Sequence, residues 1–253
     1  MRTCVSQCIA SILVILILAG CGGPKELDDS EKVRLYYEAG VGYINRGDPE
    51  QAIDTLKEAY SINHGYPQVL HALGLAYFQL GANETALNWF KKTEVITPDD
   101  PQLSNNLASV YLTMKDYDKT IRYSTKALDN PEYRTPAAAY YNRGLARKNT
   151  GDPQGSLADF KAAMNHEPLW SMPRLELARV LYENGQYDSV INMVNSVLKL
   201  DDDNAEAYLL RGQAYWERGY VSKAETDFSY VTRMENVSPA IANAAYDWLD
   251  RIR

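Results

Sequence analysis

The sequence predicts an all-α chain, an α-solenoid of six helical hairpins closed by a C-terminal capping helix. Three observations predict it. A small residue recurs at Gly40, Gly74, Ala108, Gly144, Ala178 and Gly212, with spacings of 34, 34, 36, 34 and 34 residues. A fixed period of this size marks stacked supersecondary units. A glycine follows seven residues later in five units, at Gly47, Gly81, Gly151, Gly185 and Gly219, and only Lys115 departs. After the last unit, Ser238-Pro239 opens a stretch whose apolar residues Ile241, Ala245, Trp248, Leu249 and Ile252 fall at helical spacing.

The chain begins with a short positive start, Met1-Arg2, and an apolar run from Ile9 to Leu18. A membrane-crossing helix needs about 20 apolar residues, so this run reads as the core of a signal peptide over residues 1–20. It ends in Leu18-Ala19-Gly20-Cys21, which resembles the lipobox of bacterial lipoproteins. That resemblance implies cleavage before Cys21 and acylation of the new N-terminus, with several chains giving a lasting anchor. Gly22 follows, where an aspartate would resemble an inner-membrane retention signal. The implied address is therefore the bacterial cell envelope, on the outer membrane and facing the periplasm. Residues 21–32 then form the lipidated cysteine and a polar tether, and Gly22 to Ser30 could reach about 30 Å when extended.

The repeat units run 33–66, 67–100, 101–134, 137–170, 171–204 and 205–238, and the capping helix 239–253. Glycine inside a helix costs about 1 kcal/mol relative to alanine, so its recurrence at one place requires close packing of two antiparallel helices. The second glycine suits the left-handed residue that ends the first helix. In the first unit Gly47-Asp48-Pro49 reads as stop, N-cap and first helical residue, with a capping-box partner after it, and Gly151-Asp152-Pro153 repeats the device. A large apolar column is filled by Leu56, Phe90, Phe160, Val194 and Phe228, with Ser124 the weak member. Such hairpins cannot bury their faces alone and must stack.

Composition narrows the function. The chain carries 33 acidic and 26 basic residues, which argues against nucleic-acid binding because phosphate contacts need clustered Lys and Arg. All three cysteines, Cys4, Cys8 and Cys21, lie at the N-terminus, so no disulfide framework or thiolate metal site is expected in the body. The histidines His64, His71 and His166 lack ligand spacing, and no nucleophile elbow, phosphate loop or zinc-protease motif occurs. Asp201-Asp202-Asp203 reads as a solvated turn. No enzyme, cofactor, metal or catalytic residue is expected.

These columns resemble the tetratricopeptide repeat (TPR) family over residues 33 to about 238. The resemblance implies a superhelix whose first helices line a concave, peptide-gripping groove. Counted from the small column, the groove residues are Tyr37, Ile44, His71, Leu75, Phe78, Asn105, Leu112, Tyr141, Tyr182, Leu209 and Trp216. Large aromatics are enriched in such surfaces, although each could instead pack between repeats. Some family members clamp a C-terminal carboxylate with Lys, Arg and Asn. The matching positions here are Tyr37, Val41, Ala72, Gln102 and Asn106, of which only Asn106 conforms, so that mode is excluded.

The two-residue offset between the third and fourth units lies in Asp129 to Pro136, followed by Tyr141-Asn142-Arg143-Gly144-Leu145-Ala146. With Asn105-Asn106, the lipobox and six units, it resembles the type IV pilus biogenesis lipoproteins of the PilF/PilW pilotin family. That resemblance implies a protein partner, secretin subunits of the pore through which pili pass, with membrane contact through the lipid. His64 stands where a proline usually closes the repeat. Two other roles stay open, an envelope adaptor recruiting peptidoglycan hydrolases or proteases, and a subunit of outer-membrane protein assembly machinery.

Overall fold

The computed structural model describes residues 27–252, which form thirteen α-helices and no strand. The signal peptide, Cys21 and the tether up to residue 26 lie outside the described residues. Six hairpins follow in order. They are α1 (Asp29–Arg46) with α2 (Pro49–Ile62), α3 (Pro67–Gln79) with α4 (Asn83–Ile96), and α5 (Pro101–Thr113) with α6 (Tyr117–Leu128). Next come α7 (Ala137–Asn149) with α8 (Pro153–His166), α9 (Ser171–Glu183) with α10 (Tyr187–Leu198), and α11 (Ala205–Glu217) with α12 (Val221–Val231). The last helix, α13 (Pro239–Ile252), packs Ile241, Trp248, Leu249 and Ile252 around buried Ala245 and Phe228.

Two local expectations need correction. Helix α1 starts at Asp29, so residues 29–32, expected in the tether, form its first turn. A capping box drives this, because Asp28 Oδ1 accepts from Glu31 N at 2.8 Å and Glu31 Oε2 accepts from Asp28 N at 3.1 Å. Asp48 makes no side-chain cap on α2, and its carboxylate instead lies 3.7 Å from Arg46. Asp152, at the equivalent place, does cap, accepting from Gly155 N at 2.9 Å.

The turn between the helices of each hairpin is left-handed, with φ between 71° and 80° at the five glycines and 60° at Lys115. The residue after each turn donates its N–H back across the helix end, as Asp116 N does to Tyr111 O at 2.9 Å. A side chain in this conformation is strained, so Lys115→Gly should stabilise the third repeat by about 1 kcal/mol. A raised thermal midpoint would check it.

The small column sits where the two helices of a hairpin cross. A Cβ on Gly74 would stand 2.5 Å from Phe90 Cδ1, on Gly144 2.8 Å from Phe160 Cε1, and on Gly212 2.6 Å from Phe228 Cε1. In the two units where the small residue is alanine, Ala108 and Ala178, the residue sixteen positions on is Ser124 or Val194 rather than Phe or Leu. The weak member of the large column is therefore a volume exchange that keeps the crossing close-packed.

Stacking sets the curvature. The backbones of first helices approach one another along the whole array, from α1 with α3 to α11 with α13. Successive second helices stand further apart and meet only through long side chains, as Tyr60 meets Trp89 at 5.0 Å and Lys126 meets Glu94 at 3.6 Å. The array therefore curves with α1, α3, α5, α7, α9 and α11 on its inner side. The longer connection before α7 folds back on the preceding junction, where Asn130 Nδ2 donates to Asp99 O at 2.8 Å and Lys126 Nζ to Pro98 O at 2.6 Å. Those bonds absorb two extra residues without breaking the stack, and α5 still meets α7.

Candidate binding groove

The period defines rows of side chains along the inner side. Four residues after each small residue lie Ile44, Phe78, Leu112, Lys148, Tyr182 and Trp216, every one half-buried. One position further lie Asn45, Gln79, Thr113, Asn149, Glu183 and Glu217, all exposed. Contacts between first helices confirm the side on which these rows lie. Gln79 Nε2 donates to Ile44 O at 3.1 Å, and Lys148 Nζ lies 3.2 Å from Glu176 Oε2 and 3.8 Å from Glu183 Oε1.

Of the eleven residues read as groove-lining, ten are half-buried, with part of each side chain open to solvent. Asn105 is only 5% exposed and lies beneath the surface. It is covered because the next hairpin reaches back to it, with Asn142 Nδ2 donating to Asn105 Oδ1 at 3.1 Å and to Ser109 Oγ at 2.9 Å. Trp216 is shared with the cap, its ring centroid 6.1 Å from that of Trp248. Tyr141 packs 4.8 Å from Trp170 and 5.9 Å from Phe160, and burial pushes its phenol up to about 12. Tyr182 lies 5.4 Å from Tyr187.

His71 on α3 is half-buried on this face. Asn106 Nδ2 stands 2.6 Å from His71 Nε2, a contact that suits a neutral ring accepting from the amide. Burial holds its pKa below the ordinary value, and the Asp100 charge opposes that only in part. A base whose folded pKa is depressed adds stability in full above its unfolded value. That contribution is lost as pH falls from about 6.5 through the folded value. Acidification from pH 7.5 to 5.5 should therefore lower the melting temperature more in the parent than in His71→Leu. Equal losses would show that His71 carries no such linkage.

Sequence reading missed Lys148, Glu176, Arg179 and Glu206, which link α7, α9 and α11 across the inner side through Lys148–Glu176, Arg179–Glu176 and Arg179–Glu206 pairs. Opposite charges 27 and 28 residues apart, at inner-side positions of adjacent units, were the available signal. Half-exposed pairs of this kind each contribute up to about 1 kcal/mol, so they organise the surface more than they hold it. The other histidines sit in ring contacts, His64 at 4.5 Å from Tyr60 and His166 at 5.6 Å from Tyr140. Among the described residues no group of three His, Cys, Asp or Glu could hold a metal ion. No described helix is long and apolar enough to cross a membrane.

Comparison with known proteins agrees with this geometry. A TPR repeat profile matches residues 74–115 and 178–219, and a tetratricopeptide repeat profile residues 33–64 and 101–131, together more than half of the chain. The type IV pilus assembly protein PilF of Pseudomonas aeruginosa is 20% identical over 212 residues, 80% of this chain and 84% of that protein. A solved structure of Pseudomonas aeruginosa PilF superposes with a TM-score of 0.76 at 19% identity, covering 87% of this chain and 99% of that one. The structure of PilW, a widely conserved type IV pilus biogenesis factor, gives 0.77 at 20% identity, covering 83% and 97%.

Proposed function

Because the chain belongs to the tetratricopeptide repeat family, we propose that it is a lipid-anchored binding scaffold of pilotin type that assists type IV pilus secretin assembly. The observation that carries this is end-to-end agreement with the pilus factors. The superpositions take in 87% and 83% of this chain, and 99% of the solved PilF chain and 97% of the solved PilW chain. Acylation at Cys21 supplies the anchor, and residues 22–28 leave a short reach from the outer membrane into the periplasm. The inner side, with Tyr37, Phe78, Leu112, Tyr182 and Trp216, seats a segment of the pore-forming subunit. Work of this kind needs no bond-making. Holding the subunit beside the membrane raises its effective concentration and covers its adhesive surfaces until neighbours arrive.

Deletion of the gene should abolish secretin multimers in isolated membranes, and the Cys21→Ser form should fail to restore them. Normal multimers and normal pili in the deletion strain would overturn the proposal.

A further inference from the structure

Resting on that reading of the inner side, we infer the chemistry of its occupant, a peptide in polyproline II conformation with an apolar side chain at every third residue and a basic residue where it reaches the fifth and sixth hairpins. Touching helices have axes about 8–10 Å apart. A polyproline II segment advances about 3.1 Å per residue and turns once in about three, so every third side chain returns to one face, whereas in a flat strand every second does. Side chains that meet one row in successive hairpins therefore lie three residues apart. In the first three hairpins that row is Ile44, Phe78 and Leu112, all apolar and each partly open.

The neighbouring exposed row changes character along the array. Gln79 and Asn149 each give one amide hydrogen to the backbone, to Ile44 O and Leu145 O, and keep a second donor and a carbonyl acceptor. Thr113, whose hydroxyl donates to Ser109 O, can still accept. This suits a polyproline II segment, whose backbone has no internal partners. The fifth and sixth hairpins offer carboxylates at the same place, Glu183 and Glu217, which only accept. The cations of this face are already engaged, Arg179 by Glu176 and Glu206, and Lys148 by Glu176 at 3.2 Å. Glu183 keeps 60% of its side chain exposed despite standing 3.8 Å from Lys148. Glu217 follows Trp216 in the chain, and its charge acts on the Tyr182 phenol. Two exposed carboxylates at the same place in neighbouring hairpins suit a Lys or Arg side chain, held by charge-assisted hydrogen bonds.

Three labelled synthetic 16-residue peptides, titrated by fluorescence anisotropy against the full chain in detergent, test this. One carries leucine at every third residue and a Lys-Arg end, the second the same spacing with a Glu-Glu end, and the third leucine at every second residue with the Lys-Arg end. The first should bind about tenfold more tightly than either other, and the exposed substitutions Glu183→Lys with Glu217→Lys should reverse the preference between the two ends. Equal affinities, or preference for the acidic end or the shorter spacing, would overturn the inference while leaving a peptide-binding inner side intact. If none binds, both this inference and the groove reading fall, whereas the deletion phenotype reports on the pilus role alone.

Discussion

Asp227→Ala is expected to destabilise the C-terminal repeats by about 3–5 kcal/mol, the cost of stranding a desolvated partner. Asp227 is 4% exposed and takes two bonds from Arg211, from Nε at 2.8 Å and from Nη2 at 2.8 Å. The third arm of the guanidinium, Nη1, reaches back to Asn195 Oδ1 on α10 at 2.7 Å, so one side chain joins both helices of a hairpin to its predecessor. Removing the carboxylate leaves a cation with little water to replace it. The same register shows what an alternative looks like. Arg211 and Asp227 stand immediately before Gly212 and Phe228; the fourth hairpin repeats the pair as Arg143 with Asp159, and the second, third and fifth carry Leu73 with Trp89, Leu107 with Tyr123, and Leu177 with Met193. Replacing both partners at once, Arg211→Leu with Asp227→Met, should recover most of the loss, because an apolar pair owes no desolvation penalty. Arrays of repeats need not unfold in one step, so hydrogen-exchange protection of α11 and α12 is the fitting measurement. If Asp227→Ala keeps parental protection, the pair is solvated and the argument fails.

The fold was legible because its main constraint acts on a single atom. A helix crossing that leaves no room for a Cβ cannot hide in the sequence, and Gly40, Gly74, Gly144 and Gly212 announce it in four of the six units, with alanine in the other two. Counting from that column also picked out positions on the first helices that are half-buried, Asn105 apart. What stayed hidden depends on pairs rather than on single positions. Asn105 has the spacing of a groove residue and becomes interior only because Asn142, 37 positions on, reaches across to it. The ion pair of Arg143 and Asp159 is likewise written in two helices. Arg143 Nη2 meets Asp159 Oδ1 at 2.8 Å while Arg147 Nη1 takes Oδ2 at 2.9 Å, and neither arginine alone signals burial. The start of α1 escaped because the polar run Leu27-Asp28-Asp29-Ser30-Glu31 reads as tether unless Asp28 and Glu31 are taken together as a reciprocal cap.

The second large effect should come from the crossing itself. Phe90 is fully buried, and its ring lies against the bare backbone of Gly74. Phe90→Ala should cost about 3–5 kcal/mol, the lost transfer energy plus the cavity left between α3 and α4. Gly74→Ala acts from the other side. Its Cβ would stand 2.5 Å from both Phe90 Cδ1 and Cε1, so the ring must move or the helices must part, at about 1–3 kcal/mol. Alanine also raises helix propensity by about 1 kcal/mol, which offsets part of that strain. The two sites should not behave independently. Ala178 faces Val194 in the fifth hairpin and both are fully buried, so the double change Gly74→Ala with Phe90→Val copies a solution the chain already uses. It should be more stable than the sum of its single variants by about 1–3 kcal/mol in a double-mutant cycle. Strict additivity would mean that Gly74 is not kept by the ring opposite it, and the packing reason offered for the whole small column would then have to be abandoned.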